Sequence, residues 1–184
     1  MFHNQAENDV QYTIRRVVED DAGSIVDLLN PIIEAGIFTI MDTKCSIKDQ
    51  IDFIRGLPPR SIYNIALCSE TGRALGIQDL IPVSIESRVL RHVGEVSTFI
   101  SLEMRGRGIG SNLMETTCRE ALSLGFLKIM AMVRADNPQA VSFYKRQGFI
   151  VVGTARKHAC FRNEYIDEII MEHHSRYPEH NPTL

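Results

Sequence analysis

The chain has 184 residues, 44% of them hydrophobic and 23% charged, which suits one globular domain with a sizeable core. A formal net charge of −3 argues against binding nucleic acid or an anionic membrane through bulk charge, since neutralising phosphates takes a strongly basic surface. Cys45, Cys68, Cys118 and Cys160 are widely spaced with no CxxC pair, so neither a zinc site nor a disulfide framework is expected. The first residues lack the apolar core of a signal peptide and no apolar run is long enough to cross a bilayer, which predicts a reduced, cytoplasmic setting.

In chain order, residues 11–17 alternate as a strand, and Asp20 or Asp21 then caps a helix carrying Ile25, Leu28 and Leu29 that should stop near Pro31. A second helix is expected in SIKDQIDFIRG, where Ile47, Ile51 and Ile54 recur at helical spacing before Gly56 and two prolines. The segment between them, residues 32–45, fits neither period. SIYNIALCSE and RALGIQDLIPVS flank a Thr71-Gly72 turn and read as a β-hairpin, and LRHVGEVSTFIS reads as a further strand. A glycine-rich stretch follows, then a helix with an apolar face of Ile109, Leu113, Cys118, Ala121 and Leu122, ended at LGF. LKIMAMV is a short buried strand in which core packing accounts for Met130 and Met132. Asn137 as N-cap, Pro138 at the first helical position and Gly148 past the end frame another helix, and two strands close the domain. Residues 1–10 and 175–184 are expected to be flexible ends around a single domain over 11–174. The order predicts a mixed α+β sheet, since hairpins dominate both ends and only the middle alternates strand, helix and strand.

The glycine-rich stretch, EMRGRGIGSN, carries the chemistry. The start of a helix offers unpaired N–H groups and partial positive charge, glycines let a ligand approach them, and Arg105 and Arg107 add formal charge, a combination suited to phosphate. A Walker loop is excluded by the spacing and the missing lysine, while a dinucleotide fingerprint is a weak match, with Ser111 at the third glycine position and several strands ahead of the motif. The pattern that fits is Arg-x-x-Gly-x-Gly at Arg105, Gly108 and Gly110.

With that pattern the chain resembles the GNAT superfamily of acyl-CoA-dependent N-acyltransferases. NPQAVSFYKRQGF, with Asn137, Ala140, Phe143, Tyr144, Gly148 and Phe149, is similar to that family's next block, and YIDEIIMEH to its closing strand. The resemblance covers residues 13–173. It implies a mainly antiparallel sheet with helices on both faces, acetyl-CoA as donor, and direct attack by an amine in a ternary complex.

By the same resemblance, Arg105, Gly106, Arg107, Gly108, Ile109, Gly110 and Ser111 hold the pyrophosphate, while backbone groups of Phe99, Ile100 and Ser101 hold the pantetheine arm and polarise the thioester. Asn137 steadies the cofactor arm and Tyr144 protonates the leaving sulfur. The phosphinothricin and amino-acid N-acetyltransferase branch is the nearest. It places a base at Glu95, on the strand face shared with Ser97 and Phe99, and a substrate-carboxylate contact at Arg91. This chain departs from the branch at Val96 and Phe99. The expected acceptor is the primary amine of a small molecule, an amino acid or amino-acid-like compound as in that branch, and a homodimer through sheet edges is common among such enzymes. A protein N-terminus or lysine as acceptor, and a non-catalytic acyl-CoA sensor, are the alternatives. His158, His173, His174 and His180 form no ligand spacing, so no metal is expected and the His173-His174 pair is read as surface.

Overall fold

The computed structural model describes residues 10–175, so the flanking segments 1–9 and 176–184 lie outside the described residues. The elements follow in the order β1 (Tyr12–Arg16), α1 (Ala22–Ala35), α2 (Ile47–Arg55), β2 (Ile62–Cys68), β3 (Ala74–Pro82), β4 (Val93–Ile100), α3 (Ile109–Ser123), β5 (Lys128–Arg134), α4 (Pro138–Arg146), β6 (Ile150–Phe161) and β7 (Glu164–His174). The strands form one seven-stranded sheet in the order β1-β2-β3-β4-β5-β7-β6. Every neighbouring pair is antiparallel except β4 with β5, whose crossover is made by α3.

That parallel pair positions the site. β4 pairs with β3 up to Ile100 opposite Gly76, but with β5 only through Val93, Gly94 and Glu95 opposite Lys128, Ile129 and Met130. Beyond Glu95 the two strands part, and a wedge opens in the middle of the sheet. On one sheet face α1 and α2 cover Tyr63, Ile65 and Ile77. On the other, α3 and α4 bury Ile62, Leu80, Val96, Phe126 and Ile129.

Local chemistry sets the element ends. Ser46 caps α2 by accepting from the Asp49 amide at 3.2 Å, while Asp49 accepts from the Ser46 amide at 2.9 Å. Asn137 caps α4 by accepting from the Ala140 amide at 3.1 Å. Three expectations need correction here. Pro31 does not end α1, which runs to Ala35 and closes on Gly36 at φ 71°. Ile32 and Ile33 beyond it are buried, and two such side chains contribute about 3–6 kcal/mol against roughly 3 for an interior proline. Asp21 precedes α1 without capping it, because its carboxylate accepts from Arg15 at 2.7 Å and from the Val18 amide at 2.8 Å. In α2, Ile47 is exposed and Gln50 takes a buried place, donating to the Tyr63 hydroxyl at 3.0 Å.

Candidate active site

Two cavities meet at the wedge. The larger, about 840 Å³, is lined by the end of β4, the glycine segment and α4. The smaller, about 540 Å³, lies among α2, the loop after α1, β3, β4 and β7. Phe38, Thr98, Phe99, Asn137, Ala140 and Tyr144 line both, so the two cavities adjoin at these side chains.

The larger cavity is shaped by glycines. Gly106 and Gly108 hold φ of 77° and 79°, the left-handed region where a Cβ is strained, and Gly108 sits immediately before the first turn of α3. Their backbone bend turns the start of α3, where the first N–H groups have no helical partner, toward the cavity. Ile109, Gly110 and Ser111 line it, and the Ser111 hydroxyl accepts from Gln147 at 3.0 Å. Arg105 lies over the Phe38 ring at 3.7 Å and forms no ion pair among the described residues, and its partial burial lowers its pKa. A positive, glycine-bared helix start fits a pyrophosphate.

Not every residue expected here lines the cavity. Phe99 and Ile100 do, but Ser101 does not, because the Ser101 N–H is spent on the Leu75 carbonyl at 3.0 Å. Arg107 is exposed outside the lining. Arg91 lies outside both cavities, at the end of β4 remote from the glycine segment, and its carbonyl accepts from Arg60 at 2.8 Å.

Tyr144 is both core and cavity wall. It is 6% exposed, packs edge-on against Phe143 and Phe149, and its hydroxyl lies 3.2 Å from the Thr98 hydroxyl, to which buried Gln78 donates at 2.8 Å. Burial pushes the phenol pKa well up while the Thr98 hydrogen bond pulls it down, so Tyr144 stays protonated and can donate.

Glu95 is exposed toward the smaller cavity. Desolvation first, and the Glu168 charge second, hold its carboxyl above the ordinary carboxylate value. Three further carboxyl groups, Asp49, Asp79 and Glu168, line that cavity without having been picked out by sequence. Glu168 is 3% exposed with His158 at 3.7 Å, and Asp79 is 8% exposed on β3. The only signal for Asp79 is one charge inside an apolar strand run, LGIQDLIP. Met132 is likewise a wall of this cavity rather than core, since Ile129, Ala131 and Val133 take the buried phase of β5. His173 is not simply surface: it is half-buried beside Phe149, ring centroids 5.3 Å apart.

The loop after α1 roofs this cavity with Phe38, Thr39, Ile40 and Met41. Arg134 ties it down, donating from Nη1 to the Gly36 and Thr39 carbonyls at 2.9 Å each while its other edge holds Asp136. No group of His, Cys, Asp and Glu among the described residues is arranged to hold a metal ion, and no described helix is long and apolar enough to cross a membrane.

A sheet split at a parallel strand pair, with a glycine-bared helix start at the mouth and a protonated tyrosine at the junction of two cavities, is an arrangement with room for a phosphate-bearing ligand beside a second molecule. Residues 43–149 match the model of the Acetyltransferase (GNAT) family, and the chain belongs to that family of N-acetyltransferases. It is 28% identical over 95 residues to an L-amino acid N-acetyltransferase of Escherichia coli, covering 50% of this chain and 57% of that one. It is also 28% identical over 141 residues to an uncharacterized N-acetyltransferase of Methanocaldococcus jannaschii, covering 75% of this chain and 60% of the other. The chain thus spans somewhat over half the length of these relatives. Its fold is that of a GNAT phosphinothricin acetyltransferase from Sinorhizobium meliloti solved with acetyl-CoA, at TM-score 0.80 and 22% identity over 94% of this chain and 97% of that one. A ribosomal-protein-alanine N-acetyltransferase from Brucella melitensis is similar at TM-score 0.79 and 20% identity, covering 89% and 99%. One fold therefore serves small-molecule and protein acceptors, and the acceptor has to be argued from the site.

Proposed function

We propose that this enzyme moves an acetyl group from acetyl-CoA to the primary amine of a small molecule, an amino acid or amino-acid-like compound in the first instance. The observation that carries the reading is the meeting of the two cavities at Thr98, Phe99 and Tyr144, with Glu95 on the acceptor side. A loop roofing the acceptor side favours a small molecule over an extended peptide, and relatives named for amino acids and phosphinothricin support the class. Acetyl-CoA supplies an activated thioester when bound.

The chain's own residues would do the rest. Arg105 and the start of α3 hold the pyrophosphate, and backbone groups of Phe99 and Ile100 orient the pantetheine arm. Glu95 takes a proton from the amine, and Tyr144, protonated and steadied by Thr98, gives one to the departing sulfur. Arg91 has no part in this arrangement.

The test is thiol release from acetyl-CoA across amino acids, methionine sulfoximine, phosphinothricin, polyamines and short peptides, with Glu95→Gln as control. Glu95-dependent release with an amino-acid-like amine supports the reading; release with peptides alone, or binding without release, overturns it. Arg105 gives a separate prediction. A charge-assisted hydrogen bond is worth about 1.5–3 kcal/mol, so Arg105→Ala should weaken coenzyme A binding by about 10- to 100-fold in calorimetry, with a reduced salt dependence.

A further inference from the structure

An alkylammonium carries three N–H bonds and the amide it becomes carries one, so two protons leave the acceptor nitrogen in each turnover. Glu95 accounts for one of them. The other needs an acceptor for as long as Tyr144 still holds its own proton.

Asp79 stands opposite Ser97 in the β3–β4 ladder, which makes it the diagonal neighbour of Glu95 on the same sheet face. It lines the same cavity and is 8% exposed. Ser97 is its cross-strand partner and holds its pKa down somewhat, but it joins no ion pair among the described residues. Burying a carboxylate without a cation is costly, and the cost falls away when a proton or a ligand's positive charge takes the missing place. A primary ammonium in the cavity would be that charge.

We propose that Asp79 is a second catalytic carboxylate, and that Asp79 and Glu95 each accept one of the two protons given up by the acceptor nitrogen. This rests on the transferase reading above. The balance closes: nitrogen bonds to the acyl carbon, the carbon–sulfur bond breaks, and Tyr144 protonates the sulfur. Of the two protons taken by the carboxylates, one restores Tyr144 and the other leaves to solvent through exposed Glu95.

The charged and titratable groups that line the cavity with Asp79 are Glu95 from β4, Tyr63 from β2, Tyr144 from α4, Asp49 from α2 and Cys45 from the loop before it, together with Arg134, His158 and Glu168. Burial first and the Glu95 charge second raise the Asp79 carboxyl to about 7, opposed by Ser97. A raised acid holds its proton below that value and can accept one only above it. Turnover should therefore rise with pH through about 7.

Two measurements on the intact chain test this. Carbon-13 carboxyl shifts in the ligand-free protein should show Asp79 titrating near 7, and at lower pH in Glu95→Gln; titration in the ordinary carboxylate range overturns the proposal. Thiol release is then followed against pH with n-butylamine, a primary amine with no second functional group. In Asp79→Asn the rate above pH 8 should fall by about 100-fold and the acid limb should move to lower pH. The fold of Asp79→Asn should be at least as stable to urea at that pH, because a buried charge has been removed. A uniform loss with the limb unmoved makes Asp79 merely structural and overturns the proposal. If Asp79 titrates near 7 but neither n-butylamine nor any compound of the panel releases thiol, the transferase reading fails and the role of Asp79 fails with it, leaving only the carboxyl pair.

Discussion

Glu95→Gln is expected to lower kcat by about 10²- to 10⁴-fold, the range general-base catalysis contributes. Glutamine has the same length and shape, so acceptor and cofactor should still bind, with KM little changed. What disappears is the proposed proton acceptor, a carboxyl whose pKa is raised by desolvation first and the Glu168 charge second. The residual rate should climb with pH as more of the amine becomes neutral in solution, whereas the wild type levels off once its carboxyl groups are ionised. Full turnover by the variant from pH 6 to 9 would remove Glu95 from the chemistry.

The second large effect is on stability. Phe126→Ala should cost about 3–5 kcal/mol, read as a lower urea midpoint with an unchanged slope. Phe126 is fully buried after α3, joins the cluster containing Leu80, Val96 and Ile129, and carries the Arg60 guanidinium over its ring at 4.3 Å. The surrounding strands cannot collapse into the space without moving Gly94, already so close to Leu80 that a Cβ there would meet it at 2.6 Å. With domain stabilities of about 5–15 kcal/mol, the loss is a large share of the total. A midpoint within experimental error of wild type would show that this end of the sheet relaxes freely.

Elements whose signals are local were legible in the sequence. Asn137 with Pro138 and the glycines around Arg105 each act within a few residues, and the starts of α3 and α4 follow from them. Features set by contacts across the sheet were not. Pro31 reads as a helix end until the burial of Ile32 and Ile33 is known. Asp79 becomes a neighbour of Glu95 only through the β3–β4 register, and Glu168 reaches the same cavity from a strand some seventy residues later in the chain. Arg91 and Ser101 fall at motif-matching positions, yet one lies before β4, outside both cavities, and the other has its N–H committed to Leu75. A motif fixes spacing along the chain, while lining a cavity depends on partners the spacing does not contain.

The three-residue seam between β4 and β5 also has a mechanical side. β1 to β4 form one continuous ladder and β5 to β7 another, joined edge to edge only where Val93, Gly94 and Glu95 meet Lys128, Ile129 and Met130. The apolar cluster of Ile62, Leu80, Val96, Ile129 and Met171 crosses that seam, so beyond Glu95 the two ladders are held together by side-chain packing on the α3 face rather than by strand pairing.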